Sequence, residues 1–191
     1  MKRFVLSAFV FAAALSAQPV TYTIDPAHSS ADFSVKHMMV STVRGSFTKT
    51  TGAIVYDANN LSASSVEAVV DATSVSTRVE ARDNHLKSPD FFDVAKFPTL
   101  TFKSKQWYKE GGALKIKGDF TLHGVTREVV LAVDGPSPEI KAGNAVKIGA
   151  SASVKISRKD YGLVWNRAVE AGGVAVSDEV TITLDIEANK K

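Results

Sequence analysis

The chain has no cysteine, only six prolines and, beyond its first fifteen residues, no apolar run approaching the length of a membrane-spanning helix. Each absence excludes something. Without cysteine there is no disulfide framework, no thiolate metal site, no thiol nucleophile and no lipid attached through an N-terminal cysteine. A transmembrane helix takes about 20 apolar residues, so helical insertion of the remaining chain is not expected. Also missing are a nucleophile elbow, a P-loop, a dinucleotide fingerprint and a zincin motif. What is present is ordinary globular composition, 45% hydrophobic and 23% charged over 191 residues, for which one domain is the simplest expectation.

Lys2 and Arg3 precede an apolar stretch, Phe4 to Leu15, followed by Ser16 and Ala17. Positive charge, a short apolar run and small residues predict a secretory signal peptide over 1–17, an uncleaved anchor being the alternative. The mature domain is then 18–191, a soluble periplasmic or secreted product. Removing the leader takes two of the 23 basic residues and none of the 20 acidic ones, leaving 21 against 20, or +1 over 174 residues. The remaining charges are interspersed, which argues against a nucleic-acid or anionic-membrane partner surface, and no stable membrane insertion is expected.

Alternation dominates the rest. Ala31, Phe33, Val35 and His37 share one face; Val66, Ala68, Val70 and Ala72 repeat the pattern, as do Leu100, Phe102 and Ser104. It continues through Leu114 to Leu122, Val129 to Val133, Val146 to Ile156 and Val180 to Ile186, with mostly polar residues between. A period of two with one dry and one wet face marks antiparallel strands. With Val20 to Ile24 and Phe47 to Tyr56 added, eight or nine strands are predicted. Long antiparallel strands leave exposed edges unless the sheet closes, and eight is a number at which a closed barrel holds one small ligand. The predicted fold is therefore all-β, an extended antiparallel barrel of about eight strands.

One segment departs from the alternation. Thr77 and Glu80 have capping-box spacing before a helix-favouring run to Lys87, and Ser88-Pro89-Asp90 supplies a second helix start. This short helical insertion is expected across one mouth of the barrel, with Phe91 and Phe92 either plugging the core or lining an entrance.

Candidate chemistry is sparse. None of His28, His37, His85 and His123 forms a close pair at metal-ligand spacing, so structural or mouth-lining histidines are the simpler reading. Asp25 to Ser30 reads as a turn, and Arg158 to Gly162, with Trp165 beyond it, as a barrel-closing turn whose indole covers a mouth. His37 shares the face of Phe33 and Val35, where an imidazole needs a partner. Arg44, Asp83 and His85 are candidates, either as partners and contacts to a ligand's polar head or as surface ion pairs. No catalytic residue, metal or cofactor is assigned.

Together these segments say more than they do singly. YTIDPAHSSADFSVKHMMVSTVRGSF, RDNHLKSPDFFDVAKFPTLTFKS, GDFTLHGVTREVVL, SRKDYGL and SDEVTITLDIEA closely resemble, in order and spacing, the YceI family of lipocalin-like, polyisoprenoid-binding proteins, over nearly all of Tyr22 to Ala188. The resemblance implies an elongated apolar interior, a periplasmic setting and sequestration of an isoprenoid or related amphiphilic lipid. It implies no catalytic mechanism.

Strand phase supplies a lining set for such a chain: Phe33, Val35, Phe47, Val70, Phe102, Phe120, Leu131, Ile148, Ala152, Ile182 and Leu184, with Phe91 and Phe92 at one end. His37, Arg44, Asp83 and His85 are the polar-head set. Each five-carbon isoprene unit taken out of water contributes roughly 4 kcal/mol at about 0.8 kcal/mol per buried carbon, before binding costs. Two alternatives stand beside a non-catalytic lipid carrier or store: a lipid-modifying enzyme using inward His and Asp groups, and a fully packed, stress-associated interaction protein. The oligomeric state stays open, a dimer included.

Overall fold

We describe a computed structural model of the chain, which covers residues 18–169 and 173–191; the expected leader, 1–17, lies outside the described residues. The strands are β1 (Val20–Ile24), β2 (Ser30–His37), β3 (Ser41–Phe47), β4 (Thr50–Tyr56), β5 (Ser65–Asp71) and β6 (Val75–Ser76). After helix α1 (Glu80–Lys87) come β7 (Thr99–Glu110), β8 (Ala113–Leu122), β9 (Val125–Asp134), β10 (Ile140–Ala142), β11 (Ala145–Ser157), β12 (Ala168–Val169), β13 (Gly173–Val174) and β14 (Val176–Lys190).

Eight strands close a barrel in the order β11, β9, β8, β7, β5, β4, β1, β14 and back to β11, every pairing antiparallel. Closure leaves no long edge in the barrel, which is how a sheet of long strands avoids templating another chain. The fifteen-residue β14 makes the construction possible. Its last residues pair with β1 through Ala188, Asn189 and Lys190, while Val176 to Asp185 pair with β2, and β11 runs along its other edge. Thus β2, β3 and β6 extend the wall downward where β1 ends.

The alternation fixes what faces inward. Leu114, Ile116, Gly118 and Leu122 are buried on β8, and Tyr22, Ile24, Ile54, Leu131, Ile148 and Ala188 pack with Leu114 and Ile116 across one half of the barrel. The other half collects Ala31, Phe47, Ala72, Val75, Leu100, Ile156, Tyr161 and Leu163. Strands β9 and β11 pair only over Ala132–Asp134 and Ser151–Ser153. A 3-10 turn, Arg158–Tyr161, abuts the opening below, where Tyr161 is fully buried and packs edge-on 5.5 Å from Phe120.

Three local expectations change. The single strand expected from Phe47 to Tyr56 is two, broken at Thr48 and Lys49, because Phe47 and Ile54 face inward in opposite phases and the chain must turn between them. The helix begins at Glu80 without a side-chain cap; Thr77 instead donates from its amide and hydroxyl to Asp83 Oδ1, at 2.7 and 2.5 Å. Ser88-Pro89-Asp90 starts no second helix: Phe91 N bonds back to Ser88 O (3.1 Å) and Phe92 N to Leu86 O (2.9 Å), folding the segment into turns.

Candidate ligand-binding site

The barrel is hollow. A narrower cavity of about 130 Å³ lies in the half closed by β1, β4 and the upper parts of β7, β8 and β11, lined by Ile24, Ile54, Phe102, Trp107, Ile116, Leu131, Ile148 and Ala152 among others. A wider one of about 290 Å³ lies in the half extended by β2 and β3, lined by Phe33, Val35, Phe47, Phe91, Phe92, Leu163 and Trp165 among others. Val70, Leu100, Phe120, Ile182 and Leu184 line both, so the two chambers share a waist. A single water needs only about 10–15 Å³ of such space, so neither is a packing defect. The filled barrel required by the interaction-protein alternative is not what the chain builds.

The narrow chamber offers a ligand almost nothing but hydrocarbon. Among its described lining residues the only side chains with polar atoms are Thr50, Thr101 and Trp107. The buried Thr50 hydroxyl and Trp107 indole N–H have no hydrogen-bond partner among the described residues. The wide chamber grades from aromatic to polar toward its mouth. Phe92 packs edge-on against Phe47 (5.4 Å) and Phe33 (6.5 Å), and His85, Phe91 and Trp165 stand 5.0–5.1 Å apart in a second cluster. Such offset and edge-on pairs hold their geometry, making the wall firm rather than collapsible.

All thirteen residues placed inward by strand phase line one or both chambers, Phe91 and Phe92 included. Phe91 and Phe92 are both partly buried against the core of that half and both line the wide chamber. Of the four polar residues, His37 and His85 lie on the wide chamber's wall. His37 is exposed at the end of β2 rather than embedded among apolar groups, and His85 Nε2 sits 2.9 Å from Asp90 Oδ2. Arg44 and Asp83 do not line it. Arg44 pairs with Ser34 on the outer face, and Asp83 is occupied by Thr77.

Sequence periodicity missed Trp107 because a bulge between Ser104 and Gln106 shifts β7 by one residue, turning Trp107 inward where unbroken alternation points it out. Two adjacent exposed polar residues, Lys105 and Gln106, are the signal that could have found it. Arg158 was also missed as a buried group. It is 4% exposed and donates to the carbonyls of Ser177, Leu163, Trp165 and Val176, with Asp178 3.5 Å away. Burial lowers its pKa, Asp178 opposing. It fastens the Trp165 loop to β14 at the mouth.

Among the described residues, one group has metal-like proximity: Asp25, His28 and Glu187. Lys147 Nζ already sits 3.2 Å from Asp25 Oδ2 and 2.5 Å from Glu187 Oε1, so an ammonium fills the space between the carboxylates.

Comparison with known proteins agrees with the geometry. Residues 22–188 match the YceI-like domain. A UPF0312 protein of Staphylococcus aureus is 38% identical over 168 residues, covering 87% of this chain and 95% of that protein. Among solved structures, a Campylobacter jejuni YCEI protein is 30% identical with a TM-score of 0.69, over 82% of this chain and 90% of the other. Burkholderia cenocepacia BcnA is 21% identical with a TM-score of 0.73 (86% and 98%), and a polyisoprenoid binding domain from Saccharophagus degradans is 17% identical with 0.66 (90% and 99%).

Proposed function

The chain belongs to the YceI-like family, and from that membership and its hollow interior we propose that it binds, without chemical conversion, a long-chain isoprenoid or related amphiphilic lipid and carries or stores it. The observation that carries this reading is the pair of contiguous chambers with a wall of aliphatic and aromatic side chains. Removal of a hydrocarbon chain from water is non-directional and scales with apolar area, so a narrow, nearly featureless chamber suits a prenyl tail. The thirteen lining residues would hold the tail, and His37 and His85 at the wider mouth would meet a polar head. The kinship of this fold to a domain described as polyisoprenoid-binding points the same way.

The narrow chamber presents no titratable side chain among its described lining residues, which favours binding over acid–base chemistry there. From the leader predicted over 1–17 we propose that the mature chain works in the periplasm or outside the cell. Mass spectrometry of an organic extract from protein purified out of its own host without detergent tests the reading. A prenyl lipid present in stoichiometric amount is expected; a barrel that is empty and also refuses added prenyl lipids contradicts it.

A further inference from the structure

The opening of the wide chamber carries an apolar finger with no partner among the described residues. The turn joining β2 to β3 holds Met38, Met39 and Val40 in solvent at 43, 64 and 85% exposure, and Val164 and Val174 are exposed on neighbouring segments of the same rim. Backbone bonds tie the segments together: Met38 N donates to Ala175 O (2.9 Å) and Ala175 N to Arg167 O (2.8 Å). Lys36, His37, Arg167 and Ala175 line the wide chamber, so the finger stands at its entrance and not on a remote face.

The turn itself is unusual. Val40 N bonds to His37 O (3.0 Å) around Met38 and Met39, both left-handed with φ of 49° and 60°. Two consecutive positive φ values at the centre of a hairpin turn are normally supplied by Asn and Gly. Turn chemistry therefore does not account for two methionines at that tip.

We infer that this rim docks on an anionic lipid surface, Met38, Met39 and Val40 dipping among the acyl chains while the surrounding cations meet the headgroups; the inference rests on the lipid-binding reading above. Size separates a bilayer from a protein partner. Five apolar side chains on separate segments fall far short of the roughly 20–30 residues a side of a stable protein interface. Charge selects an anionic surface. Although the cations are interspersed along the sequence, Lys36 at the wide chamber's mouth and Arg44 on β3 form no ion pair among the described residues, while Asp178 is engaged by Lys159 (2.9 Å). Flexible, polarizable methionine adapts to an irregular apolar medium. Position completes the argument, because a lipid leaving a bilayer here would pass directly into the wide chamber.

The test compares the full chain with M38N/M39G, which supplies the preferred turn residues and leaves every lining residue intact. Sedimentation is measured with vesicles of phosphatidylcholine alone and of phosphatidylcholine mixed with phosphatidylglycerol, at low and high salt; uptake of geranylgeraniol from a cyclodextrin is followed by tryptophan emission. The expected result is preference for the mixed vesicles, weakening with salt, and about a tenfold loss of vesicle affinity in the variant, with geranylgeraniol uptake unchanged. Equal vesicle binding by both proteins overturns the docking inference. So does a wild type that ignores vesicles yet loads geranylgeraniol, which leaves the lipid-binding reading standing. A concentration-dependent dimer abolished by M38N/M39G makes the finger a self-association surface and also overturns it. Failure to take up geranylgeraniol as well as to bind vesicles removes both readings together.

Discussion

Two buried or half-buried charged groups hold the ends of the barrel. Arg158 donates to four carbonyl groups, sharing that of Val176 with Asn166 Nδ2, and its planar guanidinium suits that fork better than an ammonium would. Arg158→Met is expected to destabilise the fold by about 3 kcal/mol, the typical penalty for breaking a buried charged network, read as a lower urea midpoint; Arg158→Lys should recover little of it. At the opposite end, His28, the Ala27 amide and Lys147 together hold the Asp25 carboxyl well below its ordinary 3.8. A carboxyl whose folded pKa is depressed stabilises the fold above its unfolded pKa and loses that contribution as pH falls through the folded value. The urea midpoint of Asp25→Asn should therefore lie below that of the wild type at neutral pH, and the two should converge on acidification below 3.8. A difference that persists undiminished in acid would assign Asp25 a purely steric part.

At the scale of elements, the β2–β3 hairpin has left-handed methionines at both central turn positions. An L-residue with a Cβ pays roughly 1–2 kcal/mol in that conformation, so M38N/M39G should raise the thermal midpoint, as measured by circular dichroism. The strands themselves were legible where apolar and polar residues alternate without interruption, as in β8, β11 and β14. They were not where a small residue blanks the pattern. In β3 the inward series is Val43, Gly45, Phe47, and Gly45 is small because a Cβ there would collide with the ring of Phe33 and come within 2.9 Å of Thr77 Cγ2. A position emptied to accommodate a neighbour carries no hydrophobic signal of its own. The bulge in β7 hid Trp107 for a related reason, since phase read from Leu100 and Phe102 cannot survive one inserted residue. Arg44 and Asp83 illustrate the other limit: a charged side chain's partners are set by which elements meet, and Thr77 reaches Asp83 before any ligand could.

The whole molecule is one closed surface with a constricted interior, and alternation plus strand length was enough to anticipate closure. The size of the interior was not legible, because small inward residues such as Ala68, Ala150 and Ala152 serve equally well to seat large neighbours or to leave room. Ala68, Ala150 and Ala152 lie on the narrow chamber's wall, whereas Ala72, read the same way, is packed into the core. The chain's two tryptophans lie one in each chamber, Trp107 in the narrow and Trp165 in the wide. They offer a direct reading of whether one lipid chain threads both. Titration of a long prenyl alcohol into Trp107→Phe and Trp165→Phe, each retaining a single indole, should shift the emission of both proteins with one saturating equivalent. An indole in either chamber that stays silent while the other saturates would confine the ligand to half the barrel, and silence from both would contradict the account.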